Sequence, residues 1–311
     1  MDDHNYTSMA IFVLLGLPNA PQLRAASFAL FMSIYLLTLL GNLMILSAII
    51  SDYHLHTPMY FFLSNLSVLE MCYTTITVPN ILSIILTNNN QISFRACICQ
   101  VYLFTLCATT ECIILALMAY DRYVAICLPL RYRLIMSRHL CLQLSSTAWM
   151  SGIVNSVIQS LPTSRLPFCN INKIYRLYCE VQPLLQLSCS DTSLNKMLTS
   201  ASATIFGVGF MTFILISYIF IIAAILKIPS LAGRKKAFST CTSHITVVTM
   251  YYGALIFMYL RPKSSDSGRM DSAVSAVYCM VIPVLNPFIY SLRNKDVKCS
   301  LRNMFTSQKN W

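Results

Sequence analysis

The sequence predicts an all-α membrane protein, a bundle of seven transmembrane helices that forms a single domain over residues 1–311. The first observation behind this prediction is a shortage of charge, since charged residues make up 11% of the chain against about 25% in a typical soluble domain. The second is the apolar content, 56% of the residues, with a mean hydropathy of +0.63. The third is that apolar runs of about 20 residues, the length needed to cross a bilayer, recur seven times. So few charges exclude a soluble enzyme and an intrinsically disordered chain.

The apolar runs define seven spans in order along the chain: residues 25–50, 58–86, 97–126, 140–161, 196–226, 238–260 and 271–292. The first is the clearest, because almost every residue after Ala25 is apolar. The fourth is the weakest, since Ser, Thr, Gln and Asn dilute it, and we retain it because such residues are tolerated where they face other helices. The bundle therefore occupies residues 25–292, with a long loop at 162–195.

The distribution of Lys and Arg predicts the direction of the chain. The side that holds loops 127–139 and 227–237, the tail 293–311 and Arg122 at the end of the third span carries 13 of the 22 basic residues. Basic loops stay in the cytoplasm, so residues 1–24 form an extracellular N-terminus and the tail 293–311 is cytoplasmic. Asn5 begins an Asn-Tyr-Thr sequon on the extracellular side and is predicted to be glycosylated. The net charge of +11 then lies mostly on the cytoplasmic face, which suits contact with membrane lipid. We therefore predict no nucleic-acid partner.

Two acids lie inside the predicted membrane, Glu70 in the second span and Glu111 in the third. Buried ionisable groups are costly in a membrane and face the interior of the bundle. One interpretation is a pair of neutral, hydrogen-bonded carboxyls, and the other is an internal site for a cation or a switchable proton. Asn42 and Asn286, in the first and seventh spans, are predicted to complete this polar site. No other cofactor is indicated, and no metal site, because no Cys-x-x-Cys pairs or His clusters converge on one side.

Two further motifs mark the cytoplasmic ends of spans. Asp121-Arg122-Tyr123 ends the third span, and an Arg beside an Asp can pair locally and then be released toward a partner from the cytosol. Asn286-Pro287 interrupts the seventh span, where proline removes a backbone donor and kinks the helix. Tyr290, one turn later, is expected to move with that kink.

Four cysteines lie on the extracellular side: Cys97, Cys169, Cys179 and Cys189. Four cysteines on an oxidising face allow three pairings, and the spacing does not choose among them. A bond from Cys97 to the loop 162–195 would fasten that loop over the mouth of the bundle. Five others are expected to act as small apolar packing residues: Cys72, Cys99, Cys107, Cys112 and Cys279.

These motifs resemble those of a known family. Gly41-Asn42, Asp121-Arg122-Tyr123 and Asn286-Pro287-x-x-Tyr290 are similar to those of rhodopsin-like G-protein-coupled receptors. More specifically, five blocks resemble the olfactory receptors of the larger, tetrapod-type class: LHTPMYFFLSNLS (55–67), MAYDRYVAICLPLRY (118–132), Ser217-Tyr218, KAFSTCTSHITVV (236–248) and PVLNPFIYSLRN (283–294). The resemblance covers nearly the whole chain. Glu70 departs from the pattern, since family members often carry Asp at that place.

The resemblance implies a receptor, not an enzyme, in the plasma membrane of olfactory cilia. It implies that small volatile organic molecules bind within the bundle and activate an olfactory-type stimulatory G protein, which raises cyclic AMP. It also implies disulfides between Cys97 and Cys179 and between Cys169 and Cys189. The implied activation switch comprises Asp121, Arg122, Tyr123, Tyr218, His244, Asn286, Pro287 and Tyr290.

We expect the ligand site between the outer halves of the third, fifth, sixth and seventh spans, because sites in helix bundles are mostly apolar with a few oriented polar groups. On the third span, the candidates fall at a spacing that places them on one helical face. The predicted ligand-binding residues are Phe104, Thr105, Ala108, Thr109, Cys112, Ser202, Ala203, Phe206, Gly207, Tyr252, Leu255, Ile256, Tyr259, Ala276 and Cys279.

Two other functions compete with this interpretation. A rhodopsin-like receptor outside olfaction would bind another small apolar ligand in the same place; an amine ligand is disfavoured because the outer third span carries no acid, and retinal is excluded because residues 271–292 contain no Lys. A ligand-gated transporter or channel would show repeated halves or charges along a path, and the sequence has neither. The five His residues are scattered and suggest no catalytic set.

Overall fold

The chain folds as a helical bundle with a small sheet at one end. This computed structural model describes residues 11–16, 23–168, 172–260, 277–293 and 295–307, and within the helices the side chains of 258–260, 277–278, 291–296 and 304–307 are excluded. The helices are α1 (Arg24–Ser51), α2 (Pro58–Thr87), α3 (Phe94–Cys127), α4 (Tyr132–Ile135), α5 (Arg138–Ser164), α6 (Val181–Leu187), α7 (Ser193–Ser202), α8 (Phe210–Leu226), α9 (Leu231–Leu260), α10 (Ile282–Arg293) and α11 (Lys295–Ser307). Of the predicted residues, Asn5, Cys169 and Ala276 lie outside the described ranges.

Local signals in the sequence set the ends of several helices. Ser93 and Ser137 accept hydrogen bonds from the backbone N–H of Ala96 and Leu140, and so cap the first turns of α3 and α5. Pro58 occupies the first position of α2, where its missing N–H costs nothing. Asn88, at φ 57°, ends that helix in the left-handed conformation that asparagine tolerates.

Four helices within the described ranges are long and apolar enough to cross a membrane: Arg24–Ser51, Pro58–Thr87, Phe94–Cys127 and Ser193–Leu226. The last combines α7, a π-helical segment at Ala203–Gly209 and α8. Large apolar side chains face outward along these helices; Leu40 on α1 and Ile219 on α8 are 57% and 65% exposed. A soluble protein rarely exposes so much apolar surface, and these helices indicate a multi-pass membrane protein. The helices α5 and α9 match the predicted fourth and sixth spans but are more polar.

A three-stranded sheet closes one end of the bundle, which we call the sheet end. β1 (Ile11–Leu14) lies in the middle; it pairs antiparallel with β2 (Gln91–Ser93) and parallel with β3 (Lys173–Ile174). Phe12 is fully buried and packs edge-on against Phe168, with ring centroids 5.2 Å apart. The predicted N-terminal segment and two predicted loops are therefore joined in one layer.

Three segments predicted as connections or tail contain helical structure. The loop expected at 227–237 is largely helical, because α9 begins at Leu231 and carries the basic run Arg234–Lys236 on its first turns. The tail expected at 293–311 contains the helix α11. The loop expected at 162–195 contains α6, and α7 begins at Ser193. Each of these segments is too polar for a hydropathy criterion to register as a span, which is why the helices were missed.

Candidate functional site

A cavity of about 410 Å³ lies inside the sheet end of the bundle. Its walls come from α3, α5, α9 and the segment that runs from α7 through the π-helix into α8. Residues 176–182, which we call the roof, close it from the side of the sheet. Aliphatic and aromatic side chains form most of the lining, and the polar groups come from α3, α5 and α7, from the roof and from tyrosines on α9. This combination is typical of small-molecule sites.

Twelve of the fifteen predicted ligand-binding residues line this one cavity: Phe104, Thr105, Ala108, Thr109, Cys112, Ser202, Ala203, Phe206, Gly207, Tyr252, Leu255 and Ile256. Cys279 does not; it is buried, and its thiol is hydrogen bonded to the Tyr178 hydroxyl. Its place in the ligand site stays a prediction, and its burial agrees with the expectation that it packs in the core. Ala276 and the side chain of Tyr259 lie outside the described residues.

The polar wall of the cavity was missed by the sequence analysis. Asn155 and Gln159 project from α5; the Asn155 amide donates to the Thr109 hydroxyl over 2.8 Å, and the Gln159 amide donates to the Leu198 carbonyl over 3.0 Å. The Thr199 hydroxyl donates to the Gln159 side-chain oxygen over 2.9 Å. Two amide side chains at positions i and i+4 share one helical face. The sequence of the fourth span therefore contains this pattern, although hydropathy registers the two residues only as polar.

The π-helix at Ala203–Gly209 shapes the wall opposite α5. A π-segment adds residues to a helical turn and is frequent at functional sites. Here it carries Ala203, Phe206 and Gly207 on the cavity lining. A Cβ atom added to Gly207 would meet no other atom within 4 Å, so this glycine has open space beside it.

The roof is fastened by a disulfide and by hydrogen bonds. Cys97 at the start of α3 is bonded to Cys179, as the family resemblance implied. The Cys179 backbone N–H donates to the Gln100 side chain over 2.8 Å, and the Gln100 amide donates to the Ile76 carbonyl over 3.0 Å. Cys189 is also disulfide-bonded, whereas its predicted partner, Cys169, lies outside the described residues.

One roof side chain packs on a residue of the cavity lining. Tyr178 lies over Phe104 with their ring centroids 4.9 Å apart. Burial raises the pKa of the Tyr178 phenol well above its ordinary value, so this side chain remains neutral. The disulfide at Cys179 and the contact between Tyr178 and Phe104 therefore both hold the roof in place.

The predicted internal polar site is only partly assembled. Glu70 and Glu111 are both buried, and the Asn286 amide donates to the Glu70 carboxyl. The second Glu70 oxygen has no hydrogen-bond partner among the described residues. Asn42 is buried nearby on α1 but donates to the Thr38 carbonyl over 3.0 Å. Within the described ranges no three His, Cys, Asp or Glu side chains lie close enough together to hold a metal ion.

At the opposite end of the bundle, His244 joins three helices. Its Nε2 lies 3.0 Å from the Leu115 carbonyl on α3, and its Nδ1 lies 2.7 Å from the Tyr218 hydroxyl on α8. A carbonyl only accepts, so Nε2 carries the hydrogen and Nδ1 accepts from the tyrosine. We call this arrangement the His244 clamp, because it ties α9 to α3 and α8 around a buried imidazole.

The neighbouring Asp121-Arg122 pair differs from the prediction. The Asp121 carboxyl accepts a hydrogen bond from the Tyr132 hydroxyl on α4 over 2.7 Å, and within the described ranges Asp121 and Arg122 form no ion pair. Tyr132 is half-buried; burial and then the Asp121 charge raise its pKa, so the phenol keeps its proton. The neutral Tyr132 phenol donates a hydrogen bond to the Asp121 carboxylate, and Arg122 forms no ion pair with Asp121.

Arg122 and Tyr290 have unused hydrogen-bonding groups. The Arg122 Nε and the Tyr290 hydroxyl are buried and have no partner among the described residues. Pro287 lies within α10, one turn before Tyr290, and it packs against α1 so closely that a side-chain carbon on Gly41 would lie 3.0 Å from it. Tyr123 packs on Phe220 of α8. The predicted switch residues therefore lie at one end of the bundle. A rearrangement there can give the Arg122 Nε and the Tyr290 hydroxyl hydrogen-bond partners.

Comparison with known proteins agrees with these features. Residues 31–308 match the family described as olfactory receptor. The chain is 46% identical over 304 residues to olfactory receptor 5AP2 of Mus musculus, covering 98% of this chain and 96% of that receptor. It is 45% identical over 306 residues to olfactory receptor 5I1 of Homo sapiens, covering 98% of each, and 45% identical over 309 residues to olfactory receptor 5F1 of Homo sapiens, covering 99% and 98%.

Proposed function

This chain belongs to the olfactory receptor family, and on that premise we propose that it is a receptor for small volatile organic molecules that activates an olfactory-type stimulatory G protein and raises cyclic AMP. The family is one of non-enzymatic, G-protein-coupled membrane receptors of olfaction. The observation that carries the proposal is the cavity: twelve residues predicted from the sequence line one space of about 410 Å³.

The proposed topology has seven spans, an extracellular N-terminus and a cytoplasmic C-terminus. The sheet end then faces the outside, where an oxidising environment supports the disulfide between Cys97 and Cys179. Asn5 would be glycosylated on that side. The basic run Arg234–Lys236 at the start of α9 would face the cytoplasm, and the receptor would reside in the ciliary membrane of olfactory neurons.

In the proposed mechanism α9 is the connecting element. Tyr252 and Leu255 line the cavity, and His244 lies about two turns before Tyr252 on the same helix, in the clamp. A ligand can activate only by binding the active arrangement more tightly than the resting one. We propose that ligand contact on Tyr252 shifts α9, which breaks the His244 clamp and opens a groove beside Arg122 for the G protein.

The internal polar site is proposed as a modulator of this switch. The unpartnered oxygen of Glu70 is suited to a proton or to a cation shared with Glu111. Asn286 joins Glu70 to α10 just before Pro287, so the charge state of this site would bias the seventh span. A dependence of basal signalling on sodium concentration would distinguish the cation from the proton.

The test is a cyclic AMP screen of chemically diverse volatiles in cells that express the chain with an olfactory-type stimulatory G protein. We expect dose-dependent responses that disappear in Arg122→Ala at equal surface level, while ligand binding persists. Ion currents on ligand addition in cells without the G protein would instead support a channel. A receptor at the cell surface that responds to no volatile would contradict the proposal.

A further inference from the structure

The lining of the cavity has a polar and an apolar part, and this difference bears on the class of ligand. Hydroxyl and amide groups on α3, α5 and α7 form the polar wall. Phe206, Met211 and Leu255 form the apolar wall, and α9 adds the Tyr252 hydroxyl, which has no partner among the described residues. We propose that the ligand is a small neutral carbonyl compound (a ketone, aldehyde, ester or lactone) whose oxygen accepts hydrogen bonds from the polar wall. This inference rests on the proposed function and deepens it.

The polar wall holds hydroxyls that donate to no protein group. Helical Ser and Thr commonly donate to the carbonyl four residues earlier, as Thr110 does to Leu106 over 2.8 Å. Within the described part of the chain, the hydroxyls of Thr105, Thr109 and Ser202 make no such donation. All three line the cavity, so their hydrogens are available to a molecule inside it.

Asn155 adds a further donor to the same wall. It is 6% exposed and makes one hydrogen bond among the described residues, to the Thr109 oxygen over 2.8 Å. A second amide hydrogen and the side-chain oxygen have no protein partner there. Gln159 likewise makes one amide donation, to the Leu198 carbonyl, and keeps a second amide hydrogen. The wall therefore presents five donor hydrogens, one each from Thr105, Thr109, Ser202, Asn155 and Gln159.

This count does not depend on the orientation of the Asn155 amide. If the amide oxygen and nitrogen are exchanged, Thr109 donates to the amide oxygen and both amide hydrogens are free. Thr105, Ser202 and Gln159 still contribute one hydrogen each, so the number of donor hydrogens remains five. A carbonyl oxygen accepts from this wall and adds no hydrogen, whereas a ligand hydroxyl adds a hydrogen that must take an acceptor lone pair from a wall rich in donors.

The charges around the cavity favour a neutral ligand. Among the described lining residues the charged side chains are Arg176 and Glu180, which have opposite signs and both belong to the roof. A carboxylate or ammonium group at the polar wall would lose its hydration without a counter-ion beside it, which is costly. The donor hydrogens therefore match an uncharged acceptor oxygen.

The size and the apolar wall specify the rest of the molecule. A volume of about 410 Å³ is near the lower end of the range of about 300–1,000 Å³ for ligand sites. Phe206, Met211 and Leu255 offer contacts for a compact hydrocarbon body. A carbonyl group on a medium-sized aliphatic or cyclic skeleton fits both walls at once.

The experiment uses matched compounds that differ only in the functional group. Cyclooctanone, cyclooctanol and cyclooctane form one set, and octanal, octanol, octane and octanoate form another, within a wider panel of volatiles built from matched sets. Cyclic AMP is measured in cells that express the full chain with the G protein. We expect carbonyl compounds to be about tenfold more potent than the matched alcohols, which is the effect of about one hydrogen bond. Hydrocarbons and carboxylates should be weaker still.

Two variants assign the preference to the polar wall. Thr105→Val removes one free hydroxyl at constant shape, and Asn155→Leu removes the amide; each should reduce the potency of carbonyl compounds about tenfold and leave that of hydrocarbons unchanged. The matched control is Thr147→Val on the exposed face of α5, whose hydroxyl donates to the Gln143 carbonyl. If Asn155→Leu fails to reach the surface, Thr105→Val decides.

The outcomes separate this inference from the proposed function. Equal or greater potency of the alcohols, hydrocarbons or carboxylates would overturn the inference and leave an odorant receptor. A carbonyl preference that neither Thr105→Val nor Asn155→Leu reduces would overturn the assignment to this wall. A surface-expressed chain that responds to no compound of the panel would overturn the proposed function itself.

Discussion

The His244 clamp makes a quantitative prediction about signalling without ligand. His244→Phe keeps an aromatic ring on α9 but removes both hydrogen bonds, one to the Leu115 carbonyl and one from the Tyr218 hydroxyl. Buried hydrogen bonds contribute about 0.5–1.5 kcal/mol each to the net free energy, so the closed arrangement loses about 2 kcal/mol in total. The substitution should therefore favour the open arrangement.

That free energy corresponds to a shift of about 30-fold in the equilibrium between the closed and open arrangements. If about 1% of receptors are active at rest, roughly a quarter would be active after the substitution. The direction follows from the closed geometry: the imidazole is buried, and both of its bonds hold α9 against its neighbours. Basal cyclic AMP should rise severalfold.

The assay is cyclic AMP without odorant in cells that express the full chain, normalised to receptor at the cell surface. The matched control is His139→Ala, which changes an exposed histidine at the start of α5 and should leave basal signalling unchanged. Basal cyclic AMP at or below the wild-type level in His244→Phe, at equal surface expression, would refute the reasoning. The clamp would then not restrain α9.

Three further substitutions test the packing around the cavity. In Gly152→Ala the added carbon would lie 2.2 Å from the Thr110 hydroxyl and 2.9 Å from the Leu106 carbonyl. We expect the free energy of unfolding to fall by about 1–3 kcal/mol, measured as a lower melting temperature of the detergent-solubilised protein. An unchanged melting temperature would contradict the close approach of α3 and α5. In Gly16→Ala the added carbon would lie 2.5 Å from the Arg176 backbone, so the roof should shift and the potencies of all activating ligands should change. Unchanged dose–response curves would contradict a coupling of β1 to the roof. Cys179→Ser opens a disulfide that spans 82 residues, which costs about 4–5 kcal/mol by chain entropy, and surface expression should fall sharply; normal expression and normal ligand response would show that the roof holds without it.

The helices of this fold were largely predictable because membrane crossing imposes a length and an apolar composition. The predicted first span, 25–50, differs from α1 by one residue at each end. The sixth was predicted to begin at 238, whereas α9 begins at Leu231, because the added turns are basic and lie outside the apolar run. The β1 strand had no such signal: its place depends on pairing with β2 and β3, which are distant in the sequence.

The cavity was predictable where helical periodicity places residues on one face, as for Phe104, Ala108 and Cys112 on α3. The wall from α5 was missed since Asn155 and Gln159 register only as polar residues in a weak span, and their partners lie on other helices. The same holds for the contact between Cys279 and Tyr178, because Tyr178 belongs to a loop with no periodicity. Contacts between elements, unlike faces within one element, require the three-dimensional arrangement.

The central claim is that a small volatile molecule acts from inside this cavity, and filling the cavity tests it most directly. Ala108 lines the cavity on α3, and Ala108→Phe would occupy part of its 410 Å³ without adding charge. The measurement is the cyclic AMP dose–response of Ala108→Phe and of the wild-type chain to each activating volatile, at equal surface expression. Our account predicts that responses to all activators shift to much higher concentration while signalling without ligand persists. Unchanged dose–response curves for these activators would contradict it.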